Sequence, residues 1–295
     1  MEPVLTTKLP EKMNYLAQVK WDGIRILANA LNGEIQLYTR NTQMRTWTYP
    51  EIVMELHAQV SDRQLILDGE CVSFKDGKPD FFQVLKRDRI KNLEKIKRLM
   101  QEIPVVYMVF DLLFLDGEWL LNDPYVERLE KLQSLLINTP QIQLCTSMED
   151  GKRLLNYVKK KQWEGIVLKE KTSVYHEGRK STAWKKLKIT QKIEAFVIGV
   201  TFRGERVNSL ILGMMEEGSW HYIGKVSSGL TQKEIELITN WVSSVQVGKP
   251  PGMSVEIREP IVWVPPHLKV EIEFVEWTPT GTLRSPVIKG YSFQI

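Results

Sequence analysis

The sequence predicts an α+β protein made of two domains. It has 295 residues, of which 43% are hydrophobic, so the chain is long enough and apolar enough to form two cores. Strands and helices alternate up to about Lys188, whereas successive short strands with a single helix follow from Ile189. We therefore expect a mixed domain over residues 1–189 and a small β-barrel over residues 190–295.

In the first domain, alternating or continuous apolar runs predict strands and a 3.6-residue period predicts helices. The strands are expected at residues 15–19, 25–30, 34–39, 64–67, 71–74, 104–115, 165–169 and 183–187. The helices are expected at residues 49–60, 81–100, 124–137 and 150–161. Turns are predicted at Leu31-Asn32-Gly33 and Asp116-Gly117, because Asn-Gly and Asp-Gly suit tight turns.

The second domain is predicted to be mostly strands. These are expected at residues 194–202, 210–215, 220–225 and 270–277, with one helix at residues 231–245 that Thr231 caps. Five or so strands and one helix in about a hundred residues are typical of a small closed barrel of the OB type.

Composition excludes several classes of protein. No apolar run is long enough to cross a bilayer, and the first residues lack the basic-then-apolar order of a secretory signal. Cys71 and Cys145 have no Cys or His at zinc-ligand spacing, and the four histidines are scattered, so no transition-metal site is predicted. We expect a soluble, intracellular protein with two buried free thiols.

The net charge of +4 permits a polyanionic partner without requiring one. Residues 169–192 carry eight Lys or Arg against two Glu, and residues 86–98 form a second basic segment within a predicted helix. Solvated charge is the ordinary explanation of such runs. Two basic segments in one chain nevertheless favour contact with a nucleic-acid backbone.

The segment Lys20-Trp21-Asp22-Gly23-Ile24-Arg25 follows a predicted strand and places an amine at a rigid edge. Its arginine can bind a phosphate through two hydrogen bonds, and its glycine permits close backbone approach. Lys20 is therefore a candidate covalent nucleophile. The same residues are also compatible with an ordinary hairpin, because Asp-Gly is a favoured turn.

Five further segments follow Lys20 in a set order, and we expect several of them to meet in a groove between two sheets. They are Tyr38-Thr39-Arg40-Asn41, Leu67-Asp68-Gly69-Glu70, Val109-Phe110-Asp111-Leu112-Leu113, Glu164-Gly165-Ile166-Val167-Leu168-Lys169 and Trp184-Lys185-Lys186-Leu187-Lys188. Together with the Lys20 segment they resemble the motifs of the covalent nucleotidyltransferases and, within these, of the ATP-dependent DNA ligases.

The resemblance continues through the second domain, so it covers nearly the whole chain. The segments similar to a ligase OB-fold are Phe196-Val197-Ile198-Gly199, Tyr222-Ile223-Gly224-Lys225-Val226, Trp263-Val264-Pro265-Pro266, Ile272-Glu273-Phe274-Val275-Glu276-Trp277-Thr278 and Gly281-Thr282-Leu283-Arg284-Ser285-Pro286. The likeness is strongest to the ligase module of bacterial end-joining enzymes.

This resemblance implies a fold and a reaction. The fold is a two-sheet, ATP-grasp-like nucleotidyltransferase adenylation domain followed by a C-terminal OB-fold β-barrel. In the reaction, Lys20 attacks the α-phosphate of ATP, AMP passes to a DNA 5′-phosphate, and a 3′-hydroxyl displaces AMP to seal the nick. A free lysine amine, with a pKa of about 10.4, is mostly charged at neutral pH, so Lys20 must lose its proton or lie beside other cations.

The resemblance also implies roles for residues around ATP. Lys186 and Lys188 meet the α-phosphate, Phe110 stacks on adenine, and Gln18 takes the place of a glutamate that relatives often have near adenine. Lys169, Arg25 and Glu70 complete the nucleotide site, and Glu164 with Glu70 binds Mg²⁺, with Mn²⁺ as an alternative. Read from the residues alone, these remain ordinary core aromatics, exposed lysines and surface carboxylates. Gln18 is equally compatible with a solvent-facing strand residue, and Arg25 and Arg40 with exposed ion pairs.

Four basic residues are expected to contact DNA by the same resemblance: Arg25, Arg40, Lys225 and Arg284. The partner is nicked duplex DNA, contacted mostly through phosphates and with little sequence preference. We expect a monomer in the bacterial cytoplasm or nucleoid, without membrane contact, that works with DNA-repair or end-joining proteins. The sequence leaves open the pathway, the cellular or viral source, the preferred metal and the tolerance of RNA strands.

One segment departs from the family pattern. Relatives usually continue after Leu-Arg-x-Pro into an Arg-x-Asp-Lys ending that reaches the β- and γ-phosphates, whereas residues 287–295 here are Val-Ile-Lys-Gly-Tyr-Ser-Phe-Gln-Ile. The hypothesis that follows is slow self-adenylation, with Arg284 or Lys289 as partial substitutes. Single-turnover adenylation much faster than nick sealing would contradict it.

Two other functions are compatible with the sequence. RNA-capping guanylyltransferases and RNA ligases also use a lysine-centred motif, although Lys-x-Asp-Gly-x-Arg together with Trp-x-Lys-x-Lys favours a DNA ligase. A catalytically silent nick-binding protein is the alternative outside enzymes, and the altered C-terminal segment motivates it.

Overall fold

The computed structural model describes residues 1–10, 14–245, 247–249 and 259–293. The chain divides into two compact units, Met1–Ile189 and Thr190–Ile295, and each has its own hydrophobic core. Within the described ranges every helix is too short or too polar to cross a bilayer.

The first unit contains eleven strands and five helices among the residues described. The strands are β1 (Glu2–Leu5), β2 (Tyr15–Val19), β3 (Ile24–Leu31), β4 (Glu34–Thr39), β5 (Leu65–Lys75), β6 (Lys78–Pro79), β7 (Val105–Leu115), β8 (Glu118–Trp119), β9 (Ile142–Leu144), β10 (Gly165–Glu170) and β11 (Lys180–Lys188). The helices are α1 (Pro50–Val60), α2 (Phe81–Asp88), α3 (Leu93–Glu102), α4 (Tyr125–Leu135) and α5 (Gly151–Lys161).

These strands form two sheets. The smaller sheet has the order β1-β11-β10-β2, and the larger has the order β4-β3-β5-β7-β8, with β6 paired to β5 and β9 paired to β7. Buried side chains of α1 and α4 share the core of the larger sheet, while α5 packs against β2 and β10 of the smaller one. The apolar alternation that predicted the strands is the pattern that buries one face of each sheet.

The predicted β3–β4 hairpin is confirmed, since Leu31 pairs with Glu34 across a two-residue turn. Asn32 and Gly33 have φ values of 51° and 81°, which are the left-handed values that Asn-Gly adopts readily. Asp116-Gly117 forms the corresponding turn between β7 and β8. The hairpin alternative for the Lys20 segment is excluded, because residues 20–23 connect β2 of one sheet to β3 of the other.

The Asp68-Gly69-Glu70 segment was predicted to end a strand, with a second strand at residues 71–74, and this is wrong. A single strand, β5, runs through it from Leu65 to Lys75. A Cβ on Gly69 would lie 2.5 Å from Cε2 of Tyr107 and 2.8 Å from the carbonyl oxygen of Met108. The glycine therefore permits close packing on β7 and does not mark a turn.

The basic helix predicted over residues 81–100 is also wrong, because two helices occupy this region. The side chain of Asn92 accepts a hydrogen bond from the Lys95 amide and begins α3. Arg87 of α2 is fully buried and donates to the carbonyl oxygens of Thr48 and Ile103 and to Glu51. The basic run is therefore not one exposed surface.

The second unit contains β12 (Gln191–Arg203), β13 (Arg206–Glu216), β14 (Ser219–Val226), α6 (Gln232–Ser244), β15 (Val262–Phe274) and β16 (Val287–Phe293). Its antiparallel sheet has the order β14-β13-β12-β15-β16. Amide hydrogens of Leu283 and Ile288 donate to the carbonyls of Ile223 and Ser228, which links the two ends of the sheet. The predicted cap is confirmed, since Thr231 and Glu234 form a capping box.

Strand β15 begins earlier than the sequence predicted, at Val262. The pairing of β12 with β15 shifts register between Val197 and Gly199, opposite a stretch that contains Pro265 and Pro266. Prolines cannot donate ladder hydrogen bonds, and a bulge is one of the few places in a sheet that tolerates them.

Candidate active site

A cavity of about 210 Å³ lies between the two sheets of the first unit. Its lining includes eight of the residues predicted for the site: Gln18, Lys20, Arg25, Arg40, Glu70, Phe110, Lys169 and Lys186. Six strands contribute these side chains, while Lys20 and Arg40 come from the residues directly after β2 and β4. The predicted convergence on one groove is therefore observed.

Lys20 lies at the end of β2 and forms an ion pair with Glu164. Its Nζ is 2.5 Å from Oε2 of Glu164, and Nζ of Lys188 is 2.9 Å from the other carboxylate oxygen. Burial alone would raise the pKa of Glu164, but the two ammonium groups outweigh it and hold that pKa below its ordinary value. The carboxylate thus stays ionised between two lysines.

The backbone geometry at residue 165, directly after Glu164, requires a glycine. Its φ is 153°, and a Cβ there would lie 2.1 Å from the carbonyl oxygen of Leu187. The backbone amide of Lys20 donates to the Gly165 carbonyl at 2.9 Å. Close approach of β2, β10 and β11 at this glycine therefore brings Lys20, Glu164 and Lys188 together.

Lys186 precedes Lys188 by two residues on β11, and its side chain lines the cavity. Burial lowers the pKa of Lys186, and the positive charges of Lys20 and Lys188 lower it further. Three lysines therefore share one small region of positive potential, which suits the oxygens of a phosphate.

Glu70 faces this region from β5, paired in register with Arg25 of β3. Burial raises the pKa of Glu70 to about 8, against the opposing effect of Lys20 and Arg25. Its carboxylate makes no hydrogen bond or ion pair with any other described residue. An unpaired carboxylate here can accept a hydrogen bond from a hydroxyl group or bind a cation.

The described residues contain no cluster of three or more His, Cys, Asp or Glu side chains that would form an all-protein metal centre. Glu164 lies near enough to Glu70 for its negative charge to contribute to the raised pKa of Glu70. Two carboxylates completed by phosphate oxygens and water are the ligand set that Mg²⁺ prefers, so these residues fit the ion.

Gln18 is 2% exposed, so it is not the solvent-facing strand residue that the sequence left open. Its Nε2 donates to the Cys145 carbonyl at 3.3 Å and to Oγ of Ser147 at 2.9 Å. A carbonyl only accepts, which fixes the amide nitrogen on that side. The amide oxygen, which has no partner among the described residues, remains for a ligand in the cavity.

Arg25 forms a bidentate ion pair with Asp68, at 2.9 and 2.6 Å, and donates to the hydroxyl of Tyr175. Asp68 is fully buried, which by itself raises its pKa, yet Arg25 and Tyr175 hold the pKa below its ordinary value. Arg25 is thus held in a largely buried ion pair, not the exposed pair that the sequence left open.

Arg40 is 64% exposed at the cavity edge, where its Nη1 lies 3.0 Å from the carboxylate of Glu2. Glu2 and Pro3 of β1 also line the cavity, as does Val167 of β10. Sequence reasoning missed these three residues. Strand alternation could have found Val167, which shares a strand face with Lys169, whereas no motif marks Glu2 or Pro3.

A larger cavity of about 640 Å³ shares Val19 and Trp21 with the first. Its walls are mainly apolar, and Arg153 is its one ionisable side chain apart from Tyr157 among the described residues. It lacks the paired lysines and carboxylates of the smaller cavity, so the smaller one is the candidate active site.

The predicted DNA-contacting residues of the second unit lie in ion pairs. Nζ of Lys225 is 2.6 Å from Glu259, and Nη1 of Arg284 is 2.7 Å from Glu276. Lys289, the other suggested substitute for the altered ending, pairs with Glu273 at 3.0 Å. The last two residues of that segment, 294 and 295, lie outside the described residues.

Comparison with known proteins matches both units. Residues 5–188 match the family model of the ATP dependent DNA ligase domain, and residues 203–292 match that of the ATP dependent DNA ligase C terminal region. The multifunctional non-homologous end joining protein LigD of Mycolicibacterium smegmatis is 31% identical over 281 residues, which cover 92% of this chain and 35% of that protein. DNA ligase 1 of Korarchaeum cryptofilum is 28% identical over 268 residues, covering 88% of this chain and 48% of that protein.

The chain thus spans between a third and a half of the length of these curated relatives. Among solved structures, the ligase domain of M. tuberculosis LigD superposes with a TM-score of 0.56 at 29% identity, covering 99% of this chain and 95% of that one. A Lig E DNA ligase superposes with a TM-score of 0.65 at 19% identity, covering 99% of this chain and 100% of that one, and shows the fold alone.

The fold is that of a nucleotidyltransferase adenylation domain followed by an OB-fold domain, as the sequence predicted. The chain belongs to the ATP-dependent DNA ligase family, within which it is similar to the ligase modules of bacterial end-joining proteins.

Proposed function

We propose that this chain is an ATP-dependent DNA ligase that seals nicks in duplex DNA through a lysyl-AMP intermediate and a DNA-adenylate. The observation that carries the proposal is the contact of Lys20 with Glu164 at the edge of a cavity that also contains Lys186, Glu70 and Phe110. Residues 1–189 act as the adenylation domain and residues 190–295 as the OB-fold domain.

In the first step, Lys20 attacks the α-phosphorus of ATP. A bond from phosphorus to Nζ forms, the bond from phosphorus to the bridging oxygen breaks, and pyrophosphate leaves with that electron pair. Lys20 must leave its ion pair with Glu164 and release a proton before it attacks. Lys186 and Lys188 place positive charge beside the α-phosphate, where the transition state gains negative charge.

Glu164 and Glu70 are the residues that would hold Mg²⁺, with Mn²⁺ as an alternative. The ion supplies further positive charge for the phosphate oxygens when it is bound. Glu164 accepts ion pairs from Lys20 and Lys188 in this structure, so the same carboxylate can orient the nucleophile and bind the cation.

The remaining cavity residues bind the nucleoside of ATP. Phe110 offers an aromatic face for adenine, and the free amide oxygen of Gln18 can accept from the adenine amino group. Glu70 and Arg25, which are paired in register on adjacent strands, contact the ribose. Lys169 completes the cavity wall beside Phe110.

DNA binding rests on basic residues of both domains. Arg25 and Arg40 bind the 5′-phosphate at the nick, and Lys225 and Arg284 bind duplex phosphates once they leave their ion pairs with glutamates. Such binding weakens steeply with salt and has little sequence preference. We place this monomer in the bacterial cytoplasm and, since its relatives are named as end-joining proteins, beside proteins of that repair pathway.

The test is sealing of a labelled nicked duplex with ATP and Mg²⁺, together with detection of a protein–AMP adduct. Lys20→Ala must abolish both the adduct and sealing. Lys185→Ala is the matched control, because Lys185 neighbours Lys186 on β11 but its Nζ contacts the hydroxyl of Tyr15 at 3.0 Å. It should keep both activities.

The same assay separates the alternatives. An adduct formed from labelled GTP in place of ATP would indicate a capping-type guanylyltransferase, and sealing confined to RNA strands would indicate an RNA ligase. Binding to nicked duplex with no adduct from either nucleotide would reject an enzyme in favour of a nick-binding protein.

A further inference from the structure

Lys169 carries a buried amine that none of the steps above uses. Its residue is 2% exposed, and its Nζ lies 4.2 Å from the ring centre of Phe110, 4.1 Å from that of Trp184 and 4.7 Å from that of Tyr125. Three aromatic rings thus surround a single amine, an arrangement that attracts a cation through the electron-rich ring faces.

The amine is also tied to the backbone of Phe110. Nζ donates to the Phe110 carbonyl at 3.1 Å and to the Tyr125 hydroxyl at 3.4 Å. One lysine therefore contacts both the main chain and the ring of the same phenylalanine. Trp184 packs edge-on against that ring, with the two ring centres 6.2 Å apart, and its Nε1 donates to Oγ of Ser173. The aromatic rings around Nζ of Lys169 therefore contact each other and the surrounding structure.

No carboxylate pairs with Lys169 among the described residues. The buried carboxylates near it are already engaged, because Asp111 is paired with Arg128 and Asp68 with Arg25. The role of Lys169 is therefore not that of an ordinary ion-pair partner. Its contacts are instead with the ring of Phe110, which forms part of the wall of the cavity.

We propose that Lys169 is a positioning residue that fixes the ring of Phe110 and thereby sets the affinity of the cavity for the adenine of ATP. This inference rests on the proposed function and deepens it. Lys169 acts through Phe110, so its loss should weaken ATP binding and leave the chemical step at Lys20 largely unchanged.

Lys169→Met tests this, because methionine keeps an unbranched side chain while it removes the charge and the donor. The quantity to measure is the ATP concentration at half-maximal rate of protein–AMP formation. We expect it to rise roughly 5- to 30-fold, the equivalent of one strong cation–π contact, with a saturated rate within about twofold of the native value. Lys171→Met is the matched control, since that amine is paired with Glu149 near the surface.

A double-mutant cycle shows whether Lys169 acts through the ring. In a Phe110→Ala background, Lys169→Met should add no further weakening, because the ring it positions is gone. The proposal would be overturned if the two substitutions raise the half-maximal ATP concentration by factors that multiply in the double variant. It would also be overturned if Lys169→Met alone leaves that concentration unchanged. If Lys169→Met does not fold, Lys169→Gln replaces it in the same cycle, because glutamine keeps a donor but not the charge. Its half-maximal ATP concentration should lie between the native value and the value expected for Lys169→Met.

The pH dependence supplies a readout that simple packing would not give. Burial lowers the pKa of Lys169 to about 7, so the ammonium is present below that pH and lost above it. The ratio of the half-maximal ATP concentration of Lys169→Met to that of the native protein should therefore be largest near pH 6 and smaller at pH 8.5. A ratio that stays constant with pH would contradict the proposal. The charged or titratable groups that face this amine are Asp111, Cys145, Asp68, Arg128 and Tyr125.

The outcomes also separate this inference from the proposed function. If no adduct forms from ATP, the proposed function fails before Lys169 is tested. If the adduct forms and Phe110→Ala weakens ATP binding while Lys169→Met does not, the proposed ligase function stands and the positioning role of Lys169 is rejected.

Discussion

Nζ of Lys20 lies 2.5 Å from Oε2 of Glu164, although 144 residues separate them in the chain. The contact joins the nucleophile predicted from one motif to the carboxylate predicted from another. It forms because β2 and β10 are neighbours in one sheet, with Val19 opposite Ile166. The same carboxylate binds Lys188 of β11, so three adjacent strands meet at one ion-pair cluster.

Glu164→Gln should slow protein–AMP formation by roughly a hundredfold or more, because it removes the negative charge that orients Lys20 and would bind the cation. Single-turnover labelling with ATP and Mg²⁺ measures this. Glu149→Gln, which alters an exposed ion pair with Lys171, serves as the control and should react at the native rate. A loss of less than about threefold in Glu164→Gln would show that the contact is not needed for the reaction.

Phe110→Ala should raise the ATP concentration needed for half-maximal adduct formation by roughly 5- to 150-fold, since stacking of a base on an aromatic ring contributes about 1–3 kcal/mol. Phe110→Tyr keeps the aromatic face and should stay near the native value. Melting temperatures of both variants control for loss of packing against Trp184. Equal effects of the two substitutions would argue against stacking.

Arg40→Ala should separate the steps of the reaction. The side chain is 64% exposed at the cavity edge, and within the described part of the chain its ion-pair partner is Glu2, so its removal should leave the fold and protein–AMP formation intact. Transfer of AMP to a nicked duplex should slow by about tenfold or more, because a phosphate loses a charged contact. Arg98→Ala, on the exposed face of α3, is the control. Unchanged transfer would remove Arg40 from the DNA site.

Arg128→Met should destabilise the fold strongly, because it leaves the carboxylate of Asp111 buried without its partner. Both side chains are fully buried, and the guanidinium binds both carboxylate oxygens at 2.8 and 2.9 Å. Breaking such a pair costs about 3–5 kcal/mol in the free energy of unfolding, which denaturant titration would measure. Lys131→Met, one turn further along α4, removes a more exposed ion pair with Asp123 and should change stability by less than about 1 kcal/mol.

Sequence reasoning located most elements of the fold, because apolar periodicity reports which face of each element is buried. It failed where a local signal had a non-local cause. Gly69 has the appearance of a turn residue but permits packing on Tyr107, and Asn92 breaks what the charge pattern suggested was one helix. The short strand β1 was not predicted, since four residues give too little periodicity to recognise.

The residue types of the site were readable from the chain, whereas their partners were not. Nothing in the sequence places Arg25 on Asp68 and Tyr175, or encloses Lys169 within three aromatic rings. These contacts join residues from different strands and helices. They exist only once the two sheets pack, which is also what determines the burial on which the pKa values depend.

The sequence by itself determined that Lys20 follows a strand, that six ligase-like motifs occur in order, and that a strand-rich domain follows at about residue 190. Only the tertiary structure decided which charges meet. It paired Lys20 with Glu164, left Glu70 without a partner among the residues that the structure describes, and buried Lys169 against Phe110. The physical reason is that local residue order sets the conformation of each segment, while electrostatic environment depends on distances between segments that are remote in the chain.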